Sequence, residues 1–453
     1  MNIILIFFGI FGVINSSKII TISPSDNETS GDRNCNGIDD DLEIQLAICN
    51  IKGFDNLDDC KYKRQQPNDP NEDKKGTIIL LPGTFNIHQI ILSSNIELRG
   101  SGIHNTILRM NDNDRSYIKF GGGALGGFVR AHHQKKLVIS DLTLDGNKDN
   151  QIQDPEGVEN YSYGRFSLYT EECYDVTMDK VKVINWDGYG IDPHGKKDEF
   201  KYSWGFTIKN SILRYNNWDG IAIDKTNRVI IDNNIIENNG RHGINIGTGS
   251  FDVSVTNNII VNNGHYYHDI GLGCGIKANN NENFRTADII ISGNTIVDSN
   301  FGGICLNDLK NVIVSNNKIE NKTTWCMKLS KNTRRSIFSN NICNTASGIY
   351  LLEGSNDNIF TTNIINTSIG LQGFRNREIY KSESTNKFIN NLYFGKVKDN
   401  ILYKHEGFNG LLIGLLTGIP LFILVVIGLS ILIFYYYKRK RRIENNIEEI
   451  VIE

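Results

Sequence analysis

A tyrosine, two aspartates and a histidine that could exchange protons stand close together in the chain. Tyr189, Asp192 and His194 belong to one hexapeptide, YGIDPH, and Asp224 ends the related phrase DGIAID. Histidine titrates near neutral pH, a neighbouring carboxylate favours its charged form, and a tyrosine hydroxyl can give or take a second proton. Each residue alone has an ordinary explanation, because aspartate is common in turns and a single histidine is usually a surface residue. Their significance therefore depends on the elements that carry them.

Those elements are the units of a repeat. A phrase of the form x-S-N-N-x-I recurs from residue 208 to residue 360, and glycine-centred phrases such as YGIDP, DGIAI and HGINI alternate with it. Short alternating strands separated by Asn/Gly turns predict an all-β protein, a right-handed parallel β-helix solenoid. The period lies mostly in the low twenties, which is too short for β-propeller blades of about 40 residues.

The register of three successive glycine-centred phrases places the candidate residues on one face. Because side chains alternate along a strand, Asp192 and His194 are expected to point away from the core. Asp224 takes the position of His194 on the next coil, roughly 4.8 Å away. The glycines expected to point outward, and so to leave a furrow for an extended ligand, are Gly190, Gly220 and Gly243.

A second group of polar residues lies where these strands begin. Tyr189, Asp219 and His242 precede the three glycines and form one column, and Arg241 lies beside them. Asn245 follows on the third strand and is expected to point to the same side as Asp192. The column therefore borders the predicted furrow.

Both ends of the chain predict contact with a membrane. Residues 1–14 form an apolar run followed by Ser16-Ser17, which predicts a signal peptide over residues 1–17. Residues 411–434 carry no charge and are long enough for a transmembrane helix, and the basic tail 435–453 favours the cytoplasmic side. We therefore expect a single-pass type I protein of the plasma membrane or another secretory-pathway membrane, with its large domain extracellular or lumenal.

Between these ends we expect one large domain. The segment LEIQLAIC predicts an amphipathic helix that caps the first coil, and a polar, proline-containing loop follows it, so residues 18–76 form the cap and loop. The β-helix then spans residues 77–395, and a juxtamembrane linker spans 396–410.

Composition excludes one class of partner and suggests two modifications. A formal net charge of −3 and no basic face outside the tail argue against a nucleic-acid partner. Eight cysteines permit disulfides in an oxidising compartment, although Cys305 and Cys326 could equally be small core side chains, and no CxxC pair points to zinc. The sequons predict N-glycosylation at Asn27, Asn160, Asn321 and Asn366.

The hexapeptide and its surroundings resemble the mannuronan (alginate) C-5 epimerases. YGIDPH is similar to the YG-apolar-DPH motif of that family, and the likeness continues through DLTLDGNKDN, NNWDGIAID and RHGIN, over about residues 37–300. The resemblance implies that Tyr189, Asp192, His194 and Asp224 are catalytic. It also implies that Arg241-His242, which matches the family's Arg-His pair, binds substrate.

We expect Asp219 and Asn245 to bind substrate with that pair, because they border the same furrow. The sequence departs from the family in several places: Gly195 follows His194 where an acid often stands, the loop over 147–164 lacks the family's lysine, and no calcium-binding nonapeptide modules follow. The resemblance therefore implies no definite cofactor. Calcium stays open, and no metal ligands are assigned.

The implied reaction is removal of the C-5 proton of a uronate in an acidic polysaccharide. The sugar carboxylate must be neutralised, by Arg241 or by a protonated Asp192, and a base and an acid must be supplied. His194, oriented by Asp224, could transfer one proton, and Tyr189 could transfer the other if positive neighbours lower its pKa from near 10. Reprotonation on the opposite face gives an epimerase, whereas expulsion of the O-4 substituent gives a lyase.

Two other functions stay open on the sequence. The same scaffold without its chemistry would be a glycan-binding or adhesion protein at the cell surface. A hydrolase needs two carboxylates about 5 to 9.5 Å apart, which Asp192 with Asp224 or Asp219 could provide. His194 and Tyr189 would then have no role in catalysis. We favour a polyuronate-modifying enzyme, an epimerase before a lyase.

Overall fold

Short parallel strands, repeated coil after coil, make up most of the described chain. The computed structural model describes residues 17–24, 31–54, 57, 60, 73–112, 127–151, 166–196, 201–247, 249–265, 273–280, 286–352, 354–367, 374–376 and 385–395. The chain divides into two compact units, Met1–Val397 and Lys398–Glu453, and all described residues lie in the first. The predicted parallel β-helix is confirmed in that unit.

Three parallel sheets, A, B and C, form the walls of the coils. Sheet A contains Lys18–Ser23, Gly76–Leu80, Ile96–Arg99, Ser203–Lys209, Thr226–Asp232, Phe251–Thr256, Ala287–Ser292, Lys310–Ser315, Ile337–Ser339, Ile359–Thr361 and Lys387–Ile389. Sheet B contains Gly83–Ile87, Thr106–Met110, Ile212–Arg214, Ile235–Glu237, Ile259–Val261, Thr295–Val297, Ile364–Thr367 and Leu392–Gly395. Sheet C contains Ile90–Ile91, Gly127–His132, Phe166–Glu171, Ile191–His194, Ile221–Ile223, Ile244–Ile246, Cys274–Asn279, Gly302–Asn307 and Phe374–Asn376.

Four longer strands turn from one sheet into the next. Lys135–Asp145 and Tyr174–Ile184 pass from sheet A to sheet B. Lys318–Ser330 and Ile342–Leu351 pass from sheet B to sheet C. Two shorter elements, Arg33–Asn34 beside the first strand and the 3-10 turn Lys148–Asn150, complete the described secondary structure together with one α-helix.

In the core, identical residues on successive coils stack on one another. Along sheet C, Ile191, Ile221, Ile244, Ile276 and Ile304 occupy one register position on successive coils, and all are fully buried. Burying an isoleucine side chain contributes roughly 1.5–3 kcal/mol. Because each coil offers the next the same apolar surface, strand alternation alone determines which side chains face the interior.

The turns between sheets A and B contain a ladder of buried asparagines. In each turn a residue with positive φ, such as Asn316 (φ 56°), precedes a buried asparagine, such as Asn317. Asn317 Oδ1 accepts hydrogen bonds from the backbone N–H and the side-chain amide of Asn294, both at 3.0 Å. Its own amide donates to Ile291 O and Asn341 Oδ1. The ladder residues are Asn234, Asn258, Asn294, Asn317, Asn341 and Asn363.

The helix Asp41–Lys52 covers the first strands, as predicted for a cap. It buries Ile44, Ala47, Ile48 and Ile51 on one face against the first strands of the three sheets. The strand Lys18–Ser23 already pairs with Gly76–Leu80, so the first strand of the solenoid precedes the helix. The expected start of the β-helix at residue 77 is therefore too late.

Three disulfides join neighbouring parts of the described chain. They link Cys49 to Cys60, Cys274 to Cys305 and Cys326 to Cys343. The alternative that Cys305 and Cys326 are unpaired core side chains is wrong, because parallel coils bring each of them beside a cysteine of an adjacent coil. Cys35 and Cys173 are unpaired and buried.

The predicted single-pass membrane localisation is corrected. In the part of the chain that the structure describes, no helix is both long enough and apolar enough to cross a membrane. The helix Asp41–Lys52 has 12 residues, whereas a spanning helix needs about 20. The predicted transmembrane segment 411–434, the tail 435–453 and the signal peptide up to residue 16 lie outside the described residues.

The predicted glycosylation sites differ in accessibility. Asn321 is buried, and its side chain donates to Ser299 O and accepts from the Thr324 N–H, so an exposed sequon was the wrong expectation there. Asn366 is exposed on sheet B. Asn27 and Asn160 lie outside the described residues.

Replacing a ladder asparagine should destabilise the fold far more than replacing an exposed one. Asn317→Ala would leave the buried N–H groups of Asn294 without their acceptor, which we expect to cost about 2–4 kcal/mol. Asn344→Ala, at an exposed position of the strand Ile342–Leu351, is the control and should stay within about 0.5 kcal/mol. Thermal and denaturant unfolding measure both variants. Equal free energies of unfolding for the two variants would show that the ladder does not stabilise the stacking of the coils.

Candidate active site

Two rows of polar side chains cross the outer face of sheet C. The end row lies where the strands end and consists of His132, Glu171, His194 and Asp224. The middle row lies two residues earlier and consists of Arg130, Tyr169 and Asp192. Because each row repeats one register position on successive coils, its members are one strand spacing apart, about 4.8 Å.

His194 and Asp224 meet in the end row, and their predicted register is confirmed. They form a β-bridge, and His194 Nε2 lies 3.8 Å from Asp224 Oδ2. His194 Nδ1–H donates to Gly195 O at 2.6 Å. A carbonyl only accepts, so this bond assigns the proton of the neutral ring to Nδ1 and leaves Nε2 as the basic atom. The His194 side chain is 22% exposed.

Opposing effects set the charge of His194. Burial lowers its pKa, but the negative charges of Asp192 and Asp224 and the hydrogen bond to Gly195 O outweigh burial. The pKa of His194 is therefore raised above its usual value. The negative charge of Asp224 favours the protonated form of the ring.

Asp192 points away from the core, as predicted, but it is only 4% exposed. Tyr169 lies beside it on the preceding strand, and Asp192 Oδ1 is buried with no hydrogen-bond partner among the described residues. Burial raises the pKa of Asp192 to about 7; His194 lowers it, and the charges of Asp224 and Asp219 raise it further. Near neutral pH this carboxyl is therefore protonated in a substantial fraction of molecules.

Tyr189 lies in the turn before its strand and outside the core. Its ring packs edge-on against Trp218, with centroids 4.8 Å apart, and stacks on Phe166 at 5.2 Å. Arg241 Nη1–H donates to the Tyr189 hydroxyl at 3.4 Å. Burial, then the charges of Asp219 and Asp192, raises the pKa of Tyr189 well above its usual value despite Arg241. This direction is opposite to the lowering that we expected from positive neighbours, so the phenol keeps its proton near neutral pH and is available only as a proton donor.

Asp219 and His242 are buried and hold the turns of three coils together. Asp219 accepts hydrogen bonds from the His242 N–H at 2.8 Å and from Asn245 Nδ2 at 3.0 Å. His242 Nδ1 accepts from the Cys274 N–H at 3.0 Å. Of the four predicted substrate-binding residues, Arg241 and Asn245 are partly exposed, while Asp219 and His242 are fully buried. Direct substrate contact stays a prediction for Arg241 and Asn245.

The predicted furrow over the outward glycines is wrong. Gly190, Gly220 and Gly243 are buried, and a Cβ on each would collide with the backbone of the next coil. For Gly190 the neighbours are Gly220 O and the amide of Asn216, which belongs to a second asparagine ladder between sheets B and C. These glycines allow the backbones of successive coils to approach each other closely.

The upstream members of both rows were not predicted from the sequence. Tyr169 OH donates to Glu171 Oε2 at 3.2 Å, and the Tyr169 ring stacks near His194 at 6.0 Å. His132 Nε2 lies 3.8 Å from Glu171 Oε1. Burial, then the neighbouring His133 and Arg130, lowers the pKa of His132 to about 4. The alternation V-R-A-H and L-Y-T-E before the hexapeptide matches I-D-P-H and was the available signal.

One cluster of side chains among the described residues could hold a metal ion. Their only cluster of three or more His, Cys, Asp or Glu ligand atoms is His132, His133 and Glu172. Calcium takes six to eight oxygen ligands, whereas this cluster presents two imidazoles and one carboxylate. No step of the chemistry below depends on calcium.

Comparisons with known proteins agree with the repeat and the motif. A family model described as right handed beta helix region matches residues 133–287, and one described as periplasmic copper-binding protein (NosD) matches residues 271–400. Mannuronan C5-epimerase AlgE3 of Azotobacter vinelandii is 29% identical over 252 residues, 53% of this chain and 12% of that protein. Alginate lyase 7 of the same organism is 27% identical over 224 residues, 47% of this chain and 24% of that protein. The resemblance to the mannuronan C5-epimerases is confirmed.

A solved epimerase module shares the architecture. The A-module of mannuronan C-5 epimerase AlgE4 from Azotobacter vinelandii superposes with a TM-score of 0.58 at 20% identity, over 85% of this chain and 98% of that chain. This likeness shows the fold, a right-handed parallel β-helix. The chain spans only 12% and 24% of the lengths of the epimerase and lyase relatives above. Residues 133–287 include every predicted catalytic residue.

Substituting Gly247 should alter the His194–Asp224 pair without breaking the fold. An added Cβ at Gly247 would overlap the Asp224 carboxylate, the movable end of a side chain. Because Asp224 raises the pKa of His194, displacing it in Gly247→Ala should lower that pKa. Histidine NMR titration measures the change. Gly302→Ala on the same sheet, where the nearest atom would be 3.3 Å away, is the control. An unchanged His194 pKa in Gly247→Ala would contradict this account of the pair.

Proposed function

We propose that the chain is a polyuronate-modifying enzyme that removes the C-5 proton of a uronate residue, as an epimerase before a lyase. One arrangement carries the proposal: a basic His194 Nε2 beside Asp224, a buried Asp192 carboxyl and a protonated Tyr189 face one side of adjoining coils. The names of the relatives, mannuronan epimerase and alginate lyase, support a polyuronate as the substrate class. A glycan-binding protein would not need these perturbed groups together.

Neutralising the sugar carboxylate is the first requirement. Arg241 is partly exposed and reaches Tyr189, so its guanidinium can bind the carboxylate beside the phenol. The protonated form of Asp192 can donate a hydrogen bond to a carboxylate oxygen, which an ionised Asp192 would repel. As C-5 loses its proton, charge grows on that carboxylate, so these contacts strengthen toward the transition state.

Two proton transfers then complete the reaction. His194 Nε2 takes the C-5 proton, and the electron pair of the C–H bond moves into the sugar carboxylate. In an epimerase, the Tyr189 hydroxyl gives its proton to C-5 from the opposite face. In a lyase, the same hydroxyl protonates the departing O-4 oxygen while a C-4–C-5 double bond forms. Proton exchange of His194 and Tyr189 with water restores the site.

Product analysis in heavy water tests this function. Incubated with polymannuronate and other polyuronates in D₂O, the chain should place deuterium at C-5 as an epimerase, or produce unsaturated uronate absorbing in the ultraviolet as a lyase. His194→Ala should lower either rate by roughly 10²- to 10⁴-fold. His104→Ala, at an exposed histidine on another turn, should leave the rate unchanged. New reducing ends without unsaturation would indicate a hydrolase, and binding without any product would indicate a glycan-binding protein.

A further inference from the structure

A cluster of metal-ligand atoms lies at the upstream end of the end row. One ligand atom from each of His132, His133 and Glu172 lies within 4.8 Å of the others. His133 and Glu172 follow the last residues of adjacent sheet C strands, and both have positive φ, 55° and 51°. The register of the coils thus stacks a histidine and a glutamate at equivalent corners.

Glu172 is the unusual member of this cluster. It is 6% exposed, and its Oε2 lies 3.3 Å from His133 Nδ1. Its other oxygen, Oε1, is buried and has no hydrogen-bond partner within the described chain. Burying a carboxylate oxygen without a partner costs free energy unless a cation or donor compensates. The imidazoles of His132 and His133, with centroids 3.8 Å apart, lie beside this carboxylate.

We propose that His132, His133 and Glu172 bind a divalent transition metal of the zinc type. Ligand atoms about 2.0–2.2 Å from a tetrahedral zinc lie roughly 3.3–3.5 Å from one another. The separation of 3.3 Å between His133 and Glu172 already fits, and the widest separation allowed by the cluster, 4.8 Å, closes with small side-chain rotations. Imidazole with a single carboxylate suits zinc, copper(II) or nickel(II) and disfavours calcium or magnesium.

The surroundings leave the site reachable from solvent. The side chains of His132 and His133 are 25% and 22% exposed, so an ion can enter and a water can complete the coordination shell. The ligands come from two successive coils, so a bound ion would fasten the strand Gly127–His132 to the strand Phe166–Glu171. A ligand that binds only the folded chain stabilises it by mass action.

Zinc titration of the full chain tests the site. With Zn²⁺ alone as the probe, competition against a chromophoric chelator should reveal a binding event that His133→Ala and Glu172→Gln each weaken at least tenfold. Glu172→Gln keeps the side-chain shape, and circular dichroism verifies that both variants fold. His104→Ala, which removes an exposed histidine elsewhere, should bind as the unaltered chain does. Ca²⁺ in excess should not displace the zinc.

A second readout is independent of affinity. Zn²⁺ should raise the Tm of the unaltered chain and of His104→Ala, but not that of His133→Ala. The proposal is overturned if no zinc binds, or if His133→Ala and Glu172→Gln bind as tightly as the unaltered chain. Activity of the enzyme is not needed for either measurement.

Discussion

The buried asparagine ladder determines how each coil sits on the one before it. An asparagine side chain that is sealed from water must satisfy both its oxygen and its amide inside the protein. Asn294 and Asn317 do so only when their coils are one strand spacing apart and in register. A slip by one residue would leave these buried groups unpaired and turn every core isoleucine outward. The ladder and the isoleucine stack therefore enforce the same register.

The site follows from that register. Residues far apart in sequence, such as His194 and Asp224, become direct neighbours because they hold one position on successive coils. Stacking also accumulates charge, since acids and bases repeat along a row at short spacing. Burial raises the pKa of Asp192, and burial together with the charges of Asp219 and Asp192 raises the pKa of Tyr189. Where polar residues replace the repeating residues of this regular scaffold, the pKa values of the side chains are therefore perturbed.

Much of the fold could be predicted from the sequence because repeated phrases mark the turns and strands of successive coils. The x-S-N-N-x-I phrase specifies the turn, the ladder and the strand that follows, and alternation specifies the register of His194 and Asp224. The first strand, Lys18–Ser23, was missed because it precedes the helix and carries no repeat phrase. The burial of Gly190 against the next coil was also missed, because period-two alternation does not extend through a turn.

The sequence alone could not show which polar side chains are buried, or which residues of the neighbouring coils cover them. Asp219 looks identical to a surface aspartate until the neighbouring coil places the His242 N–H and Asn245 against it. The upstream members of the two rows, Arg130, Tyr169 and Glu171, lie on strands that lack the glycine-centred phrase of the later coils. Only the register of the strands Gly127–His132 and Phe166–Glu171 shows that these residues continue the rows of Asp192 and His194.

We propose that His194 and Asp224, which lie on separate coils, act as one proton-transfer unit. A double-mutant cycle on these two residues is the most direct test. Turnover on polyuronate would be compared for His194→Ala, Asp224→Asn and the combination. If Asp224 acts only through His194, the double variant should be no slower than His194→Ala, because a unit that is already broken cannot be broken again. Losses that multiply in the double variant would show that the two residues act independently and would contradict the account.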